Sequence, residues 1–138
     1  MKKFRRITAL VGSVSLVASA MVIGFGSPAS SHKSETSVGM SVSDRTVRPN
    51  QRIVFFGKLR GDHDGCRRNQ VVELVRRYRG VVASDETDSE GEWRVVIDPQ
   101  PNYGRYFARY RGRGEFGYGG AHSCAPDTSA IRRIRRAS

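Results

Sequence analysis

Apolar and polar residues alternate along most of this chain from residue 37 onward. Val38, Met40 and Val42 share one face of a strand predicted over 37–43. A second strand, 52–60, turns Ile53, Phe55 and Leu59 inward and Lys58 and Arg60 outward. The period of two then puts Val72 and Leu74 inside and Glu73 outside over 70–79, with a short edge strand at 81–83. Trp93, Val95 and Ile97 face inward over 93–97, opposite Arg94. Over 104–111, Tyr106, Ala108 and Tyr110 share one face, and Arg105, Phe107, Arg109 and Arg111 share the other. Turn residues separate these runs: Pro49-Asn50, the loop 61–69, the Asp turn Thr87 to Gly91, and Asp98-Pro99-Gln100-Pro101-Asn102. Short strands with turns every roughly eight to twelve residues read as a sandwich or barrel. In the last segment, 128–136, Ile131 and Ile134 stand three apart, which fits a short helix as well as a strand. A strand is expected there, because six strands alone would leave an edge open. The fold class is therefore all-β, with seven strands.

The start of the chain has a different pattern. Lys2, Lys3, Arg5 and Arg6 precede an apolar run from Ile7 to Phe25, and small residues follow at Ala18-Ser19-Ala20 and Ser27-Pro28-Ala29. A charged start, apolar middle and small-residue end are the three parts of a secretory signal. Cleavage after Ala29 is expected, because cleavage after Ala20 would leave Val22, Ile23 and Phe25 on an exposed end. An uncleaved anchor is the alternative, since the run is long enough to span a bilayer. Either way the domain lies outside the cytoplasm. The chain divides into a signal peptide (1–29), a polar segment read as a disordered leader (30–36) and one domain (37–138).

Composition sharpens this picture. The chain of 138 residues carries a net charge of +11. Residues 1–29 hold four of the 24 Lys and Arg and none of the 13 acidic residues, so the remainder carries 20 against 13, a net +7. Apart from Lys33 and Lys58, those 20 are arginine. Such a charge favours anionic partners. The two cysteines, Cys66 and Cys124, read as one disulfide in an exported chain. A metal–thiolate site would need more Cys and His than this.

The run Pro49, Arg52-Ile53-Val54-Phe55-Phe56-Gly57-Lys58-Leu59, Cys66, Val72-Glu73-Leu74, Thr87-Asp88-Ser89-Glu90-Gly91-Glu92-Trp93, Tyr106-Phe107-Ala108-Arg109-Tyr110, Cys124 and Ser129 resembles secreted bacterial immunoglobulin-like domains, especially actinobacterial ones. It is more distantly similar to transthyretin-like domains. The resemblance spans about residues 38–136. It implies a seven-stranded Greek-key sandwich whose second-to-third and sixth-to-seventh loops are joined by the disulfide. The chain departs from that pattern at Asn50, where Gly commonly follows Pro, and in its more charged last strand. The family carries no single activity, so the resemblance implies an accessory or binding module.

Two surfaces are candidates for binding. In a sandwich of this topology the third, sixth and seventh strands are neighbours, which gathers Arg77, Arg79, Arg105, Arg109, Arg111, Arg133 and Arg135 on one outer face around Phe107. Guanidinium planes beside an aromatic ring suit anionic polymers. The alternative is an ordinary solvated face. The second surface is the disulfide end, with Asp62, His63, Asp64, Arg67 and Arg68 on one loop and Arg113, Phe116, Tyr118 and His122 on the other. Loops on a rigid scaffold often carry recognition.

Metal readings are weak here. His63 and His122 with Asp62 or Asp64 lack a ligand-spacing motif, and the acidic run Asp85 to Glu92 lacks that of a calcium loop. No metal or cofactor is expected. Gly112-Arg113-Gly114 and Gly117-Tyr118-Gly119-Gly120 are similar to Arg/Gly-rich RNA-binding segments, but in a short, disulfide-tethered, exported loop nucleic acid is not an expected partner. No nucleophile elbow, phosphate loop or zinc-protease motif is present. The sequence thus points to a monomeric, non-catalytic, exported module without a membrane span after cleavage. Its expected partner is an anionic cell-envelope polymer or an extracellular protein. A structural or stress-protective domain without a ligand is the alternative.

Overall fold

Alternating side chains of period two can bury one face only if another layer covers it, and with no long helical pattern in the domain that layer is a second sheet. The computed structural model, which describes residues 32–98 and 103–138, is built this way. The signal segment and both candidate cleavage sites lie outside the described residues. Among the described residues the only helical turns are two short 3₁₀ turns, Asp64–Cys66 and Tyr118–Gly120, and no helix is long and apolar enough to cross a membrane.

Among the described residues, thirteen strands form three sheets. In the first sheet, β2 (Thr36–Val38) and β3 (Ser41–Val42) lie along one edge of the long β5 (Ile53–Gly61), and β8 (Glu92–Ile97) lies along the other. The second sheet runs β4 (Thr46–Val47), β13 (Arg132–Arg136), β9 (Gly104–Tyr110), β6 (Val71–Arg76) and β7 (Gly80–Glu86), with β12 (Asp127–Thr128) also on β9. A small third sheet joins β1 (His32–Ser34), β11 (His122–Cys124) and β10 (Arg113–Phe116). The β1–β11 and β4–β13 ladders are parallel, and the remaining ladders are antiparallel.

The first two sheets bury their apolar faces against each other. Ile53, Phe55 and Leu59 meet Val72, Leu74, Tyr106 and Ala108, and the rings of Phe55 and Tyr106 lie 4.9 Å apart across the interface. Ile134 is buried and Ile131 exposed. The last segment is thus extended rather than helical, but it is not one strand: Asp127–Thr128 and Arg132–Arg136 both pair with β9, and Ile131 lies in the break between them.

Several boundaries differ from the sequence reading. Residues 32–36 are not a disordered leader: His32–Ser34 pairs with β11, and Ser34 is buried. The expected strand 37–43 is interrupted at Gly39-Met40, although Val38↔Leu59 and Ser41↔Phe56 keep one register on β5. There the Gly39 carbonyl crowds Gly57. A Cβ on Gly57 would stand 1.9 Å from that oxygen, so only glycine fits. The expected turn region 44–51 holds β4, which crosses to the second sheet and buries Val47 beside the last strand. The third strand stops at Arg76, because Tyr78 takes φ +66° and reverses the chain. The edge strand is longer than 81–83 and carries a register shift opposite Leu74/Val75.

A buried polar network closes one end of the second sheet. The Thr87 hydroxyl donates to the Arg67 carbonyl (2.6 Å) and accepts from the Gln70 N–H (2.9 Å). The Tyr110 hydroxyl donates to Gln70 Oε1 at 2.9 Å. Thr87→Val keeps the shape and leaves two buried backbone groups unpaired, which should cost about 2 kcal/mol. Urea unfolding measures this. A loss under about 0.5 kcal/mol would mean that water replaces the hydroxyl.

Candidate functional site

The outer face of the second sheet brings together much of the expected arginine face. The strand order β13-β9-β6 makes the last, sixth and third expected strands neighbours. Residues facing outward alternate along each strand. On β9 these are Arg105, Phe107 and Arg109, with Arg111 just beyond; on β13 they are Arg133 and Arg135. Arg77 and Arg79 do not lie on a strand. They occupy the β6–β7 reversal, on either side of Tyr78. Phe107 pairs across the ladder with Val75.

The arginines fall into two groups. Glu73 stands opposite Arg109 and accepts from Arg109 Nε at 2.8 Å and Arg111 Nε at 3.0 Å. Burial alone would raise the Glu73 carboxyl. The hydrogen bonds and charges of Arg111 and Arg109 outweigh it and hold the group below its ordinary range. A carboxylate depressed in the folded state stabilises above its unfolded range, and that contribution is lost as pH falls through the lower folded value. Glu73→Gln should therefore lower the urea midpoint near neutral pH and leave it almost unchanged in strong acid. An equal loss at both pH values would point to packing rather than charge.

The second group lies towards the β6–β7 reversal. Arg105 and Arg133 are direct cross-strand partners. The Arg77 N–H donates to the Arg105 carbonyl at 2.9 Å, bringing the reversal against them. Among the described residues no carboxylate pairs with Arg77, Arg79, Arg105, Arg133 or Arg135. Like charges directly opposite each other cost stability.

At the other end, Cys66 and Cys124 form the disulfide, with Cα atoms 5.5 Å apart. It ties the turn after β5 to β11. His63 caps that turn by accepting the Gly65 N–H at its Nδ1 (2.9 Å). The His63 ring lies 4.3 Å from that of His122 and 5.3 Å from that of Phe116. The Arg113 guanidinium sits 4.0 Å over Phe116 and donates to the Gly65 carbonyl. The third histidine of the chain, His32, is the ladder partner of His122 on the neighbouring strand and is exposed. The sequence reading missed His32 by assigning its segment to a leader. Asp62, Arg68 and Tyr118 remain exposed, and Asp64 pairs with Arg67.

Among the described residues no group of three His, Cys, Asp or Glu side chains is placed to hold a metal ion. The acidic run serves its turn: Asp88 Oδ1 accepts the Glu90 and Glu92 N–H groups at 2.9 Å, and Gly91 takes φ +82°. His122 and Ser123 are successive residues of β11, so they point to opposite faces and do not form a nucleophile–base pair. No protein-family model, no curated protein and no solved structure matches this chain.

Proposed function

We propose that this chain is an exported, non-catalytic module of immunoglobulin-like, Greek-key type, which engages an anionic surface of the cell envelope through the second sheet. One observation carries the reading. Arg105 faces Arg133 with Arg77 beside them, and no carboxylate answers them among the described residues. An anion seated across these guanidinium groups would relieve their repulsion and accept charge-assisted hydrogen bonds. The disulfide agrees with an oxidising compartment.

Retention of the oxidised protein on isolated cell walls, followed as salt rises, tests the reading. Binding should weaken as ions screen the arginines. It should fall about tenfold or more in Arg105→Glu/Arg133→Glu. Arg111→Glu should matter less to binding, because Glu73 already answers that charge. Retention that survives both salt and the double variant would move the contact to the disulfide end or to a protein partner. No retention at low salt would favour a structural domain without a ligand.

A further inference from the structure

The β6–β7 reversal combines features that a purely ionic surface does not need. Tyr78 is 88 % exposed and takes φ +66°, a conformation rare for a bulky residue. The Arg77 guanidinium lies 5.0 Å from its ring centroid. Two valines follow on the open edge of the sheet, Val81 at 46 % and Val82 at 44 % exposure. Val82 is the extra residue of the register shift, so it has no ladder partner on β6. Around this apolar tip stand Arg77, Arg79, Arg105 and Arg133, and residues 76–84, 103–107 and 131–136 contain no Asp or Glu. The tip lies at the end of β6 away from the disulfide.

We propose that this reversal docks on an anionic phospholipid bilayer, with Tyr78, Val81 and Val82 entering the interface and the arginines pairing with lipid phosphates. The inference rests on the anionic-surface reading above and names its occupant. An amphipathic phenol settles at the headgroup level. Arginine stems cover apolar surface while their heads reach phosphate. The charge complements a negatively charged leaflet. A soluble polyanion would use the arginines but gain nothing from exposed valines. Docking would also cover the open β7 edge, whose backbone groups otherwise invite strand pairing.

The oxidised full chain is sedimented with sucrose-loaded vesicles of phosphatidylcholine, alone or with about 30 % phosphatidylglycerol. In parallel it is retained on immobilised polyphosphate. Binding to the anionic vesicles should exceed that to neutral ones by about tenfold or more. Tyr78→Ser/Val82→Ser should lose about tenfold of vesicle binding and keep its polyphosphate retention, because it removes apolar area only. Arg105→Glu/Arg133→Glu should lose both. Thermal unfolding of both exposed variants checks that they fold. Vesicle binding by Tyr78→Ser/Val82→Ser within twofold of the parent would overturn the docking mode. Retention on polyphosphate or cell walls without any vesicle binding would sink this inference and leave the proposed function standing. Loss of all three would remove both.

Discussion

Replacing Cys66 and Cys124 together by alanine should lower the stability of the oxidised protein by about 4 kcal/mol. The bond closes a loop between residues 58 apart in sequence, and on the chain-entropy account such a link restricts the unfolded state by that amount. For a domain of this size it is a large part of a net stability of about 5–15 kcal/mol. The location adds to the effect. The bond holds the turn after β5 against β11, and with it the third sheet, whose strands are only three or four residues long. Strands so short have little stability of their own. Urea unfolding of parent and variant under oxidising conditions measures the loss. The variant should also lose protection of the His32–Ser34 amides before the rest of the domain. A loss below about 1 kcal/mol would mean that the unfolded chain keeps the two loops together without the bond.

Phe55→Ala should cost about 3–5 kcal/mol, the range for emptying a large aromatic site in a packed core. Phe55 is fully buried and meets Tyr106 of the facing sheet. The substitution therefore removes contact between the sheets rather than within one. Its neighbours on β5 and β9 are fixed by ladders on both edges, so the walls cannot close on the cavity. Phe55→Leu, which keeps most of the volume, should cost far less. Similar small losses for both variants would show that the two sheets are not held together at this point.

Much of the architecture was legible in period-two patterning, because a strand with one buried face writes that face into every second residue. The inward sets Ile53/Phe55/Leu59, Trp93/Val95 and Tyr106/Ala108/Tyr110 are all buried in the structure. The two cysteines likewise announced their pairing, since nothing else in the chain could take an oxidised thiol. The Asp88 turn was readable from Asp and Gly at their turn positions.

Other features left no trace in local pattern. Strands of two or three residues such as β1 and β4 are too short to show a period, and they form because β11 and β13 offer unpaired edges. Gly57 is required by a backbone carbonyl distant in sequence, Gly39, which no spacing rule can reveal. The division of the arginine face is of the same kind. Alternation put Arg105 and Arg109 on one face of their strand, and the strand order implied by the resemblance brought Arg133 to the same surface. Which of them meets a carboxylate depended on cross-strand register, which sets Glu73 against Arg109 and Arg105 against Arg133. The sequence by itself determined the all-β class, the buried faces and the disulfide, because each follows from residue type and local period. The tertiary structure decided the short pairings, the glycine contact and the unanswered charges, because each depends on which distant backbone lies alongside.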